Sequence, residues 1–277
     1  MYQGFNLKLS ERVQTTLLAK HVHQILFDEH YLVELYDNPY LETGKTLFDN
    51  DKTQIQTSLD KYLLPNNSLN GSEIQNNWFP TIQADIFLSH SHQNEELAYR
   101  LAGWLFNKFG LKTFVDSAIW GYSDKLLRII DNVYSWDDPI KKNFYSYKKR
   151  NLSTSHVYLM LLTAINKMID NCECIIFLNT PDSISSEDTI KMTSSPWIYS
   201  EIALCNTIEK KKKERTYPIR ESLSKSVSPL FLYNVDTELS QFTNLDINVL
   251  KKLSTKQYDN PLMALDELYK LPLKNTK

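Results

Sequence analysis

The pattern of apolar positions changes character near residue 80. Upstream, apolar residues recur at the three- and four-residue spacing of an amphipathic helix. They are Val13, Leu17, Leu18, Val22, Ile25 and Leu26, followed by Ile55, Leu59, Tyr62 and Leu63. The second group ends at Pro65 and a polar run of Asn, Ser and Gly, which is typical of a loop. We therefore predict a small helical region over residues 1–82.

Beyond residue 83, short apolar runs alternate with amphipathic segments. The runs predict buried strands over 85–89, 112–116, 174–178 and 230–235. The amphipathic segments predict helices over 95–109, 124–134, 153–170, 247–253 and 261–271. In the 153–170 helix, Leu159, Leu162, Ile165 and Ile169 are expected to face inward. Gly110 marks the end of the 95–109 helix.

Alternation of strand and helix indicates an α/β domain over residues 83–277, with an insertion at about 135–150. We expect a flavodoxin-like parallel sheet of four to five strands with helices on both faces. No fifth strand is evident after residue 235. Ligands of such open sheets bind beyond the carboxyl ends of the strands, so the loops 89–95, 116–124 and 179–196 are expected to meet at one edge.

The third of these loops leads into S-P-W-I-Y-S-E-I, where Pro196 suits the first turn of a helix. Trp197 and Glu201 are four residues apart and would share one face of that helix. The spacing alone leaves two interpretations open. Glu201 is either a reactive carboxylate or a surface residue that the helix dipole favours near the N-terminus.

Composition narrows the classes of partner. The 277-residue chain is 42% apolar and 23% charged, with a formal net charge of −2, so bulk charge gives no reason to expect nucleic acid or an anionic membrane. Its three cysteines, Cys172, Cys174 and Cys205, are too few for a disulfide framework and favour a reducing cytoplasm. We expect neither a secretory leader nor a membrane span.

Candidate chemistry is limited by the six glycines, none of which forms G-x-G or a P-loop. A bound nucleotide would therefore not rest on a glycine-rich turn. His90 and His92 have no carboxylate or cysteine pairing with them, so we expect no metal site. The 89–92 loop instead suits a pyrophosphate held at a helix N-terminus. Trp120 and Tyr122 suit stacking on a flat heterocycle, docking on a partner, or packing on the core.

Together these residues resemble a bacterial Toll/interleukin-1 receptor (TIR) domain. The resemblance rests on D-I-F-L-S-H-S (85–91), F-V-D (114–116), I-I-F-L-N (175–179) and S-P-W-I-Y-S-E-I (195–202). It covers about residues 84–271. The insertion at 135–150 departs from the family pattern.

The resemblance implies an enzyme that cleaves NAD at the nicotinamide–ribose bond, with NAD as substrate and no cofactor. The catalytic glutamate of the family matches Glu201. Trp197 would wall the pocket, and Ser89, His90 and Ser91 would face the phosphates. Asp116 ends the second strand of the resemblance, and Trp120 and Tyr122 belong to the loop that gates the site or mediates assembly in the family. These three complete the expected substrate-binding set.

The resemblance also implies partners. Stand-alone TIR enzymes of anti-phage systems such as Thoeris make a nucleotide signal that a separate effector reads, and TIR domains often assemble head to tail. We therefore expect a cytoplasmic homo-oligomer, in which the region over residues 1–82 would control assembly or sensing. The sequence does not choose among ADP-ribose, a cyclic isomer and a conjugate as product. Two alternatives stay open: a non-catalytic TIR interaction module, and an enzyme similar to nucleoside deoxyribosyltransferases, which share related architecture and a catalytic glutamate.

Overall fold

The computed structural model describes residues 3–9, 39–47, 58–181, 183–184, 192–193, 195–207, 233–234 and 239–270. The chain divides into two compact units. The sheet unit comprises Met1–Leu47, Gln83–Val115 and Ile169–Lys277. The helical unit comprises Phe48–Ile82 and Asp116–Met168.

The sheet unit contains a five-stranded parallel sheet flanked by helices, which confirms the predicted α/β class. Its strands are β1 (Gln3–Lys8), β2 (Ile86–Ser89), β3 (Thr113–Val115), β4 (Cys174–Asn179) and β7 (Thr243–Leu245). Their order across the sheet is β3-β2-β4-β1-β7. The three strands predicted near residues 85, 112 and 174 thus lie side by side, and β7 supplies a fifth strand after residue 235.

The N-terminal segment differs from its predicted helical character. Residues 3–8 form β1, which lies between β4 and β7 and pairs with both of them in parallel. Phe5 and Leu7 are fully buried, because period-two alternation directs both into the core on one face of the sheet. The helix predicted around residues 13–26 lies outside the described residues, and a 3-10 helix at Leu59–Tyr62 stands where the second one was predicted.

The strand predicted at 230–235 also differs. Within it the structure describes β6 (Tyr233–Asn234), which pairs antiparallel with β5 (Met192–Thr193) in a separate two-stranded ladder. The parallel sheet instead receives Thr243–Leu245, a run of three residues that is too short to give a distinct apolar pattern.

The helices that begin near residues 95, 247 and 262 have nearly the predicted bounds, whereas those at 39–46 and 71–78 have no individually predicted counterpart. The described helices are α1 (Pro39–Thr46), α2 (Gly71–Trp78), α3 (Glu95–Phe109), α4 (Ser117–Tyr134), α5 (Tyr147–Asn171), α6 (Pro196–Thr207), α7 (Ile247–Leu253) and α8 (Leu262–Tyr269). Helix α3 has the predicted bounds and ends at Gly110, whose φ of 72° is left-handed. Helices α4 and α5 begin several residues earlier than predicted.

Helix α5 turns only part of its predicted face inward, and Leu162 of that face is half-buried. Ile165 and Ile169 are buried as expected, but Leu159 is exposed, and Val157 and Leu161 are buried in its place. The two possible apolar stripes differ by one or two residues along the helix, so periodicity in the sequence did not distinguish them.

One face of the sheet carries the main core of the sheet unit. Leu88 and Ile176 pack there in one cluster with Leu101 of α3, Leu250 of α7 and Leu265 of α8. Helix α1 packs on α3 within this unit. Nowhere in the described ranges is a helix both long enough and apolar enough to cross a membrane.

Candidate active site

The side chains of Ser89 and Glu201 meet at the carboxyl end of β2. Ser89 is the last residue of that strand, and its hydroxyl donates to Glu201 Oε2 at 2.6 Å. Both residues are completely buried. Glu201 is therefore a buried, oriented carboxylate, which rules out the interpretation of it as a surface residue of a helix.

Helix α6 brings Glu201 to this position. The helix begins at Pro196, as the sequence predicted, and the Ser195 hydroxyl accepts from the backbone N–H of Ile198 at 3.3 Å, which is the bond of an N-terminal cap. Trp197 lies half-buried in the first turn, and Glu201 follows one turn later. The predicted spacing of indole and carboxylate on one helix is present.

A row of side chains crosses the sheet beside this pair. Ser89 is in register with Phe177 of β4, Phe177 with Asn6 of β1, and Asn6 with Asn244 of β7. Residues in register on parallel strands point to the same face. Ser89 and Asn6 therefore stand on one face of the sheet, about 10 Å apart at the usual strand spacing.

Asn6 is the middle of a ladder of three amides on this face. Its side-chain oxygen accepts from Asn179 Nδ2 at 3.0 Å, and its own Nδ2 donates to Asn244 Oδ1 at 3.3 Å. Asn6 is buried, while Asn244 is exposed. Sequence reasoning missed Asn6 and its partners. The signal was the polar position between Phe5 and Leu7, which is informative only once residues 3–8 are known to be a strand.

The loop after β2 is buried and closely bound to the end of β4. His90, Ser91 and Asn94 are each less than one-tenth exposed. A 3-10 turn fixes the loop through the Asn94 N–H, which donates to Ser91 O at 2.8 Å. The Thr180 hydroxyl, directly after β4, donates to the side-chain oxygen of Asn94. The structure thus groups Ser89, His90 and Ser91 at the carboxyl edge, where the sequence placed them.

The three remaining predicted residues belong to the helical unit. Asp116 is buried and directly precedes α4. Trp120 and Tyr122 lie in the first two turns of α4, so the predicted loop over 117–123 is helical instead. Their role in binding a substrate stays a prediction.

Two other kinds of chemistry were weighed from the sequence. Within the described ranges, no group of three or more His, Cys, Asp or Glu side chains is arranged to hold a metal ion. The cysteines Cys172, Cys174 and Cys205 are buried free thiols. Burial raises the pKa of Cys172 to about 12 and that of Cys174 well above its ordinary value, so at neutral pH these two thiols are protonated and poor nucleophiles.

Comparison of the chain with protein-family models, with curated proteins and with solved structures found no match.

Proposed function

We propose that this protein is a TIR-like enzyme that cleaves the nicotinamide–ribose bond of NAD, with Glu201 as its catalytic carboxylate. The observation that carries the proposal is the position of the Ser89–Glu201 pair. Glu201 is a buried carboxylate on α6, the helix that follows β4, and it contacts Ser89 at the end of β2. In the TIR resemblance, β2 is the first strand and β4 is the third.

The sheet order supports a ligand site at this place. From β2 the chain moves to β3 on one side, and it then crosses to β4 on the other side of β2. In open parallel sheets, ligands bind beyond the carboxyl ends of the strands at the point where the order reverses. That point lies between β2, which ends at Ser89, and β4, which ends at Asn179.

Cleavage of the nicotinamide–ribose bond requires one positioned carboxylate. When the bond between ribose C1′ and nicotinamide N1 breaks, its electron pair passes to N1 and the pyridinium leaves as neutral nicotinamide. The ribose develops oxocarbenium character, which a carboxylate stabilises electrostatically and through hydrogen bonds to ribose hydroxyls. Attack by water at C1′ then yields ADP-ribose and a proton.

We infer that a ribose hydroxyl would bind Glu201 at the position that the Ser89 hydroxyl holds in this structure. The Ser89 hydroxyl occupies Oε2 with a 2.6 Å hydrogen bond, and a substrate hydroxyl would replace it with a bond of the same kind. Because both side chains are completely buried, the site must open before substrate reaches the carboxylate. His90 and Ser91 lie beside this position in sequence, and we assign them to the phosphates.

The wider role that we propose follows the resemblance. A cytoplasmic homo-oligomer would convert NAD into a nucleotide signal for a separate effector in anti-phage defence. The buried protonated thiols Cys172 and Cys174 fit a reducing compartment.

The test uses the purified full-length chain with NAD, following nicotinamide release and the ribosyl product by mass spectrometry. Glu201→Gln keeps the shape of the side chain and removes its charge, so release is expected to fall by about 100-fold or more. Glu42→Gln, an exposed residue of α1, is the matched control and is expected to retain full activity.

Each alternative gives its own result in this assay. Nicotinamide release at the wild-type rate by Glu201→Gln would show the residue assignment to be wrong. A chain that neither binds nor cleaves NAD at high protein concentration would favour a non-catalytic interaction module. Base exchange on free nucleosides would favour the transferase alternative.

A further inference from the structure

The exposed apolar side chains of the described residues are concentrated in one part of the helical unit. Eight of the twelve large hydrophobic residues that are exposed lie between residues 133 and 159. They are Val133, Tyr134, Ile140, Phe144, Tyr147, Leu152, Tyr158 and Leu159. The most exposed are Ile140 at 93%, Tyr147 at 82% and Phe144 at 79%. Concentrated exposure of this kind marks an interaction surface.

The same stretch carries a net positive charge. Between Val133 and Leu159 the sequence contains five cations, Lys141, Lys142, Lys148, Lys149 and Arg150, and two carboxylates, Asp137 and Asp138. All five cations are exposed. The chain as a whole carries a formal charge of −2, whereas this stretch is locally positive. We call residues 133–159 the basic–apolar surface.

A hairpin over residues 135–146, with well-defined internal bonds, presents the part of this surface that contains Ile140 and Phe144. The Trp136 and Tyr145 rings stack with centroids 4.1 Å apart across an antiparallel bridge. The N–H of Asp137 donates to Phe144 O at 3.0 Å, and the N–H of Ser146 donates to Ser135 O at 2.8 Å. The hairpin therefore uses its own backbone groups internally and leaves its apolar side chains directed to solvent.

Asp131 fixes the base of the hairpin. This buried carboxylate accepts from Ser135 Oγ at 2.6 Å, from Arg150 Nε at 3.0 Å and from the Ser153 hydroxyl. Arg150 also stands over the Tyr145 ring, 5.3 Å from its centroid. The Lys149 ammonium donates to Trp136 O at 2.6 Å. Arg150 and Lys149 are thus engaged with the hairpin, and we assign the attraction of a partner to Lys141, Lys142 and Lys148.

We propose that the basic–apolar surface docks on an anionic lipid bilayer. Lysines beside apolar tips match this partner, because the lysines attract anionic headgroups while the apolar side chains enter the interfacial region. A protein interface is favoured less, since such interfaces are depleted in lysine and enriched in arginine. Single-stranded nucleic acid is the second candidate, because Phe144 and Tyr147 offer rings on which a base could stack. A bilayer is favoured because it also accommodates the exposed aliphatic tips, such as Ile140.

This proposal does not depend on NAD cleavage. It rests on local charge, whereas the net charge of −2 by itself gave no reason to expect an anionic membrane. The docking is peripheral: it needs only the interfacial insertion of side chains, and no helix that crosses the bilayer.

The experiment measures sedimentation of the full-length chain with vesicles of mixed phosphatidylserine and phosphatidylcholine, and with vesicles of phosphatidylcholine alone. The chain is expected to sediment with the anionic vesicles and to be released by added salt. Lys141→Gln and Lys142→Gln are each expected to weaken binding about five-fold. Ile140→Ser combined with Phe144→Ser is expected to abolish sedimentation with the anionic vesicles even at low salt, because the apolar insertion is lost.

Matched controls come from exposed residues elsewhere in the chain. Lys251→Gln and Lys252→Gln remove lysines from α7, and Met263→Ser removes an exposed apolar side chain from α8. These variants are expected to bind as the wild type does. Melting temperatures of all variants are measured alongside, and because the substituted residues are exposed they are expected to change little.

Three outcomes would overturn the proposal. The first is failure to sediment with anionic vesicles at low salt. The second is vesicle binding that the hairpin variants leave unchanged. The third is binding to single-stranded DNA, or self-association detected by sedimentation velocity, that Phe144→Ser abolishes while vesicle binding is absent. That result would assign the surface to nucleic acid or to a second copy of the chain.

Discussion

Ser89 and Glu201 are 112 positions apart in the chain, yet the hydroxyl of one donates to the carboxylate of the other at 2.6 Å with both residues completely buried. This bond joins the end of β2 to α6. A buried carboxylate without such a donor would cost considerable free energy, so the pair both stabilises the fold and orients the group to which we assign catalysis.

Removing the Ser89 hydroxyl tests whether its bond to Glu201 stabilises the fold. Ser89→Ala removes one donor, the Ser89 hydroxyl, from the buried Glu201 carboxylate. The free energy of unfolding in urea is therefore expected to fall by about 1–3 kcal/mol. Ser155→Ala is the control, because that exposed hydroxyl donates only to Asn151 O of its own helix. Its effect is expected to stay within about 0.5 kcal/mol.

A double-mutant cycle with Glu201→Gln isolates the bond itself. The two substitutions are expected to be non-additive by about 0.5–3 kcal/mol. Additive effects would mean that the hydroxyl and the carboxylate do not stabilise each other.

The amide ladder gives a prediction about β1. Asn6→Ala removes the acceptor of Asn179 and the donor to Asn244 from a buried position. Its free energy of unfolding is expected to fall by about 1–3 kcal/mol. Asn244→Ala, at the exposed end of the ladder, is expected to cost less than about 0.5 kcal/mol. Equal losses in the two variants, measured by urea unfolding, would contradict the central place of Asn6.

Two glycines allow α1 and α3 to approach closely. A Cβ on Gly44 would lie 1.9 Å from the carbonyl oxygen of Tyr99, and a Cβ on Gly103 would lie 1.9 Å from that of Tyr40. Both obstacles are backbone atoms, so Gly44→Ala and Gly103→Ala must separate the helices. Each is expected to cost about 1–3 kcal/mol or more.

Gly71→Ala is the control for these glycines. Its Cβ would meet only the flexible end of Met160, at 3.2 Å. Thermal unfolding is expected to show little loss, or a small gain from the reduced freedom of the unfolded chain. A loss as large as that of Gly44→Ala would refute the steric explanation.

The buried cysteines predict how stability depends on pH. Cys172 has an ordinary pKa of 9.0, and burial raises it to about 12 in the folded protein. Between these values the unfolded thiol releases its proton and the folded one retains it, so the unfolded state is favoured as pH rises. The free energy of unfolding is therefore expected to fall from about pH 9 upward, by up to about 1.4 kcal/mol per pH unit for this group.

Urea unfolding of wild type and Cys172→Ala over this range checks the assignment. The variant is expected to show a smaller alkaline loss, because one of the titrating groups is gone. Identical pH profiles would show that Cys172 does not contribute. Alkylation near neutral pH is expected to label the native cysteines only as fast as the protein opens, and denaturant should remove that protection.

The sequence by itself determined the elements with strong local signals. The strands at 86–89, 113–115 and 174–179 and the helix α3 follow from apolar runs and helical periodicity between clear stop signals such as Gly110. The same local information placed Glu201 on a helix that begins at Pro196, and it assigned Ser89 to the end of a strand.

Only the tertiary structure decided which of these elements are neighbours. A six-residue strand at the N-terminus carries no local mark of its place between β4 and β7, because hydrogen bonds to strands distant in sequence fix its position. The outward face of Leu159 and the pairing of Ser89 with Glu201 arise in the same way. Periodicity gives candidate buried positions, whereas the stripe that is actually buried and the partner of each side chain depend on how distant segments pack.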